Sequence, residues 1–148
     1  MIRFLGILLA AVFALLSLFH LFWAAGGRLG GKAAIPTVNG ARLFNPSAFG
    51  TILVAAGLLL AMLVVLGRIG IWGANLPAWI FRLGVLGISL LFLLRAIGDF
   101  HYLGFFKSIS ETDFARWDTW LFSPLCLSIA AIAFLIYFYK APGSVQSY

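Results

Sequence analysis

Four long apolar runs alternate with short polar connections along this chain of 148 residues. The first extends from about Phe4 to Ala25, with His20 as its one strongly polar side chain. The second, about Pro46 to Leu66, has no charge at all. The third runs from about Pro77 to Ile97 and holds Arg82 one turn in and Arg95 near its end. The fourth covers about Asp118 to Tyr139. A helix needs about 20 mainly apolar residues to cross a hydrocarbon core of roughly 30 Å, so each run predicts a membrane-spanning helix. The fold class expected is an all-α, integral membrane four-helix bundle, folded as a single transmembrane domain over residues 1–148.

Punctuation between the runs agrees. Asn45-Pro46 reads as a helix start, since Asn caps free amides and a proline at the first helical position loses no hydrogen bond. Gly67, Arg68, Gly70 and Gly73 end the second run, and Asn75-Leu76-Pro77 opens the third. Gly50, Gly57, Gly84 and Gly87 suit close helix contacts in lipid. The first connection, Gly26 to Asn45, is Gly-rich and holds an Asn39-Gly40 turn signal. Ser110-Glu111-Thr112-Asp113 resembles a capping box, which predicts a short interfacial helix to about Thr119. Ser123-Pro124 is a second start signal, but the 16 residues from Pro124 to Tyr139 span only about 24 Å, so the crossing is expected to begin near Asp118. The N-terminal run is longer than a signal-peptide core and closes on Phe-His-Leu-Phe-Trp without a small-residue cleavage site, which makes it a retained span.

Trp and Tyr gather at membrane boundaries. With four spans, Trp23, Tyr102, Trp117 and Trp120 fall at one boundary and Trp72, Trp79, Tyr137 and Tyr139 at the other. Composition agrees: 64% of residues are hydrophobic and 9% charged, against about 45–50% and 25% in soluble domains. Too little polar sequence remains to coat a core in water. The formal charge of +6 is spread between apolar runs and forms no basic face, which excludes nucleic acid as a partner and fits anionic lipid headgroups. The lone Cys126 sits in an apolar run and reads as a buried structural thiol. Orientation signals conflict. Lys/Arg counting favours the side holding Arg28, Lys32, Arg42, Lys107 and Arg116 as cytoplasmic, whereas the Met-Ile-Arg3 start favours cytoplasmic termini, which is the orientation expected here for a multi-pass protein of the cell membrane.

All four acidic residues, Asp99, Glu111, Asp113 and Asp118, lie between Arg95 and Pro124, interleaved with Lys107 and Arg116. Helix rise places His20 and Arg95 near the membrane face that also holds this connection. His20, Arg95, Asp99, Lys107, Arg116 and Asp118 are therefore the candidate ligand-binding residues, because ionisable groups at the edge of hydrocarbon are costly unless paired. Arg95 and Asp99, four apart, are expected to pair if the helix continues. The plainer readings are snorkelling for Arg95 and Arg82, a packing role for His20, and a solvated helix start for Arg116 and Asp118. No metal-ligand spacing, phosphate loop, nucleophile elbow or Cys-x-x-Cys occurs, so no metal or cofactor is expected.

His20-x-x-Trp23-Ala-x-Gly-Gly27, Ile35-Pro36, Arg95-Ala-Ile-Gly-Asp99-Phe, Gly104-Phe-Phe-Lys107, Phe114-Ala-Arg116-x-Asp118-Thr and Ser123-Pro-Leu-Cys126 together resemble a family of small bacterial four-helix membrane proteins classed as a domain of unknown function. The resemblance implies the fold and leaves the activity open. Three functions are consistent with the residues. Arg95, Arg116 and Lys107 could hold an anionic lipid headgroup or small anionic ligand. A membrane enzyme on a lipid or other apolar substrate could use His20 or Asp99 as base. An accessory subunit could dock a membrane partner or a second copy through the polar end.

Overall fold

The computed structural model describes residues 1–30, 37–38, 41–42, 46–108 and 112–139. Its long helices are α1 (Ile2–Ala24), α2 (Ala48–Arg68), α3 (Ala78–Ile97) and α4 (Asp113–Phe138), and all four are long and apolar enough to cross a membrane. Between α1 and α2 the strands β1 (Thr37–Val38) and β2 (Ala41–Arg42) pair antiparallel, with Val38 opposite Ala41. The Asn39-Gly40 turn itself lies outside the described residues, as do Asn45, Ser110-Glu111 and the tail from Lys140.

The bundle is built from two hairpin-like pairs: α1 packs chiefly on α2, and α3 on α4. Contacts of α2 with α3 and of α1 with α4 close the ring. One buried serine ties each pair, Ser17 Oγ donating to the Ala55 carbonyl and Ser89 Oγ to that of Ala130, both at 2.9 Å. A hydroxyl in hydrocarbon needs such a partner, and a bond of this kind contributes on the order of 0.6 kcal/mol. Leu9, Phe13, Val65, Ile69, Val85, Ile129, Ala133 and Ile136 fill the centre. The outward faces are as apolar as the interior: Leu60 and Leu94 are 62% and 66% exposed. Water would penalise such a surface and acyl chains accept it, so the four helices fit a multi-pass membrane protein.

Several boundaries differ from the sequence expectation, each for a local reason. The α2 cap is Ser47 rather than Asn45: its Oγ accepts the Gly50 amide at 3.0 Å, so the helix starts at Ala48 with Pro46 outside it. Gly84 is the only one of the four expected glycines at a tight interhelical contact. A Cβ there would lie 2.6 Å from Val64, whereas Gly57 and Gly87 face open space and Gly50 meets only its own cap. Gly6, which the pattern did not single out, makes the equivalent contact with Ile69. Gly67 does not break α2; it lies inside the helix against the Phe81 ring.

The largest departure is in α4. Thr112, not Ser110, caps it, accepting from the Ala115 amide at 3.1 Å. No second helix start occurs at Ser123-Pro124. Instead, the short expected helix and the last span form one rod, α-helical over Asp113–Trp117 and Ser123–Phe138 and π-helical over Asp118–Phe122. Pro124 explains the anomaly. A proline within a helix lacks its own donor and crowds the carbonyl one turn back, and a wider π turn just before it relieves the crowding. The Ser123 amide accordingly bonds the Asp118 carbonyl, five residues back.

Candidate functional site

The π turn places Asp118 at the centre of the polar end of the bundle, with none of its surface exposed. Its Oδ1 accepts from Arg95 Nη2 at 2.8 Å. Its Oδ2 accepts from the Gly104 amide at 2.8 Å, Lys107 Nζ at 3.1 Å and Ser123 Oγ at 3.2 Å. Four donors thus address Asp118, one at Oδ1 and three at Oδ2. It joins the end of α3, the α3–α4 connection and the start of the α4 rod.

Lys107 is equally engaged. Its side chain is only 3% exposed, and besides Asp118 the ammonium reaches the Gly104 carbonyl at 2.9 Å and Thr119 Oγ1 at 2.6 Å. Thr119 in turn donates to the Ala115 carbonyl. Arg95 differs. Its side chain is 30% exposed, one nitrogen bonds Asp118, and Nη1 is buried with no partner. Two cations around one carboxylate leave the cluster with a surplus positive charge.

The expected Arg95–Asp99 pair is absent. The α3 helix ends at Ile97, Gly98 turns the chain at φ +91°, and Asp99 leaves the helical face. Asp99 is exposed, and its Oδ1 accepts the backbone amides of His101, Tyr102 and Leu103 at 2.7–2.9 Å. Burial pushes the Asp99 carboxyl up, but the Leu103, His101 and Tyr102 amides outweigh it and hold the group below the usual carboxylate range. The loop so formed is tightly wound. Phe100 has φ +62°, unusual for a bulky residue, and the Phe105 amide returns to the Ala96 carbonyl at 2.9 Å, closing the end of α3. Gly98 and Gly104 touch backbone to backbone: a Cβ on either would overlap main-chain atoms of the other segment.

His20 does not join the cluster through a hydrogen bond. It is half-buried on α1, its Nδ1 donates to the Leu16 carbonyl at 2.7 Å, and its ring stands edge-on to Trp23. Arg116 is exposed on the first turn of α4, with no side-chain partner among the described residues. Of the six candidates the geometry therefore unites Arg95, Lys107 and Asp118, uses Asp99 to fold the loop beside them, and leaves His20 and Arg116 outside the hydrogen-bonded set. Gly104, Thr119 and Ser123 complete the network without having been expected. Ser123 lies five residues after Asp118, a spacing that shares no face of a regular α-helix. No group of three or more metal-ligating side chains occurs among the described residues.

A family model described as "Protein of unknown function (DUF3995)" matches residues 13–133, most of the chain and all of this network. The chain belongs to that family. Neither a curated protein nor a solved structure matches it. For this DUF3995 protein the polar end of the bundle is thus the starting point for function.

Proposed function

We propose that the Arg95–Lys107–Asp118 end of this membrane protein binds an anionic group, a lipid headgroup or a small anionic ligand, at the membrane face. The observation that carries this reading is the charge imbalance: two cations surround one buried carboxylate, and Arg95 keeps a buried nitrogen with no partner among the described residues. Uncompensated charge at the edge of hydrocarbon is costly, and a guanidinium fork suits a phosphate or carboxylate oxygen. The π turn supports the same reading, since such turns concentrate at functional positions. Exposed Arg116 adds charge at this end.

The enzyme reading has less behind it. Asp118 is paired with two cations and addressed by four donors, which disfavours its taking a proton, His20 is engaged with its own helix, and Asp99 with its own loop. An accessory role would use the exposed Phe100, Phe106 and Trp120 around the cluster; the surplus charge favours an anion over this alternative. We place the protein in the plasma membrane with both termini cytoplasmic.

Native mass spectrometry of the protein released from anionic-lipid nanodiscs tests the proposal. Arg95→Lys keeps the ion pair and removes the second fork nitrogen, and Arg116→Ala removes exposed charge; each should reduce retained anionic lipid or co-purified anion. Arg28→Gln, an exposed charge outside the network, should not. Equal retention in all three variants would refute anion binding here and favour the accessory role.

A further inference from the structure

At the opposite end of the bundle the described residues gather cations and no acidic side chain. Arg68 is the last residue of α2, Arg82 lies in the first turn and a half of α3, and Tyr137 is in the last turn of α4. Arg68 Nη2 donates to the Tyr137 carbonyl at 2.9 Å, and Arg82 Nη2 donates to the Tyr137 hydroxyl at 3.1 Å. The Arg82 guanidinium also lies over the Tyr137 ring, 4.6 Å from its centre. One tyrosine therefore engages two guanidiniums, one through its carbonyl and one through its side chain. Arg68 is only 9% exposed, and its Nε is buried with no hydrogen-bond partner among the described residues.

Among the described residues no carboxylate side chain balances this pair: Asp99, Asp113 and Asp118 lie at the other end of α3 and α4. The helix C-termini of α2 and α4 supply partial negative charge, roughly half a unit each, short of two full cations, one of which is buried. Exposed Arg3 adds further positive charge at this end of the bundle. Trp72 and Trp79 are exposed near these same helix ends, and indole rings favour the headgroup region. A tyrosine that orients two guanidiniums, one of them buried, is a built arrangement rather than a snorkelling side chain.

We infer that Arg68, Arg82 and Tyr137 form a second oxyanion site, on the membrane face opposite Asp118, that takes a phosphate group. Two guanidinium forks held by one tyrosine suit a tetrahedral dianion or a phosphodiester in the way a single lysine does not. This site shares no residue with the Arg95–Asp118 network, and its occupancy is independent of that network's.

The test uses the full chain in two arms. In nanodiscs of phosphatidylcholine mixed with phosphatidylglycerol, the wild type should retain phosphatidylglycerol on release into the mass spectrometer. Arg82→Gln and Arg68→Met should each lower its affinity about tenfold or more, the loss expected for one charge-assisted contact. Arg95→Lys should leave this fraction of bound lipid in place. In lipid-free detergent, a thermal shift on adding inorganic phosphate that is lost in Arg82→Gln would identify free phosphate as the occupant; a shift from phosphatidylglycerol alone would identify a headgroup. Arg82 is exposed, so Arg82→Gln opens no cavity and decides the matter even where Arg68→Met fails to fold. Unchanged phosphatidylglycerol affinity and no phosphate response in Arg82→Gln would overturn the site.

Discussion

Replacing Asp118 with asparagine exchanges one carboxylate oxygen for an amide nitrogen and should unpick one end of the bundle. The carboxylate accepts from four donors and sits between Arg95 and Lys107 with no exposed surface. Asparagine retains one acceptor oxygen. Turned one way, its amide faces Arg95; turned the other, it faces Lys107, the Gly104 amide and the Ser123 hydroxyl. Either orientation sets a donor against a cation and leaves two positive charges without a counter-charge. Removing one partner of a buried ion pair costs about 3–5 kcal/mol. Arg95, with its partly exposed side chain, can recover some hydration, which places the expected loss near the lower bound, about 3 kcal/mol. At roughly 2–4 °C per kcal/mol for a chain of this size, melting in detergent should fall by about 6–12 °C. Hydrogen exchange at residues 98–108 should accelerate most, because Asp118 holds that loop through Gly104 and Lys107. A triple change, Arg95→Met with Lys107→Met and Asp118→Leu, should be less destabilised than the single one, since it leaves no unpaired charge. A loss below about 1 kcal/mol in Asp118→Asn, with exchange in the loop unchanged, would refute the reasoning.

Gly104→Ala should be comparably damaging, because its φ of +85° suits glycine and the added methyl would overlap the Ile97 carbonyl and Gly98; loop exchange should rise while Gly87→Ala, in open space, changes little. Asp99 carries the pH dependence of the loop. Its folded pKa is depressed, so its contribution is present above the unfolded value near 3.9 and is lost as pH falls through the folded value; the acid limb of loop protection should flatten in Asp99→Asn. Ser89→Ala should cost on the order of 0.6 kcal/mol, leaving the Ala130 carbonyl with its helical bond and opening little space. A loss of several kcal/mol in an unfolding titration would contradict the balance assigned to that bond.

The four spans were legible because each is a long run of hydrocarbon side chains bounded by Gly, Pro and Trp, and their helix bounds fall within two or three residues of the expected ones except where α4 begins earlier, at Asp113. That end was hidden because two start signals, Thr112 and Ser123-Pro124, lie on one rod, and nothing in a regular helical period announces a π turn. The same turn concealed Ser123 as a partner of Asp118. The gathering of Arg95, Lys107 and Asp118 could be anticipated from their common membrane face. The specific pairing could not: Gly98 ends the helix just before Asp99, so the four-residue spacing from Arg95 no longer describes a shared face. His20 was drawn toward the cluster by axial height alone, which says nothing of the direction in which a side chain points. Arg82 read as a snorkelling residue because Tyr137, its partner, is 55 positions away in the chain.

The most direct test of the account is a double-mutant cycle between Arg95 and Asp118, measured as unfolding free energy in lipid with Arg95→Met, Asp118→Leu and the pair. A part-buried contact at 2.8 Å predicts a coupling of about 1–3 kcal/mol, with the double variant losing less than the sum of the two single losses. Additive losses, within about 0.5 kcal/mol, would mean the two side chains do not meet, and the polar end of this bundle would have to be rebuilt from different residues.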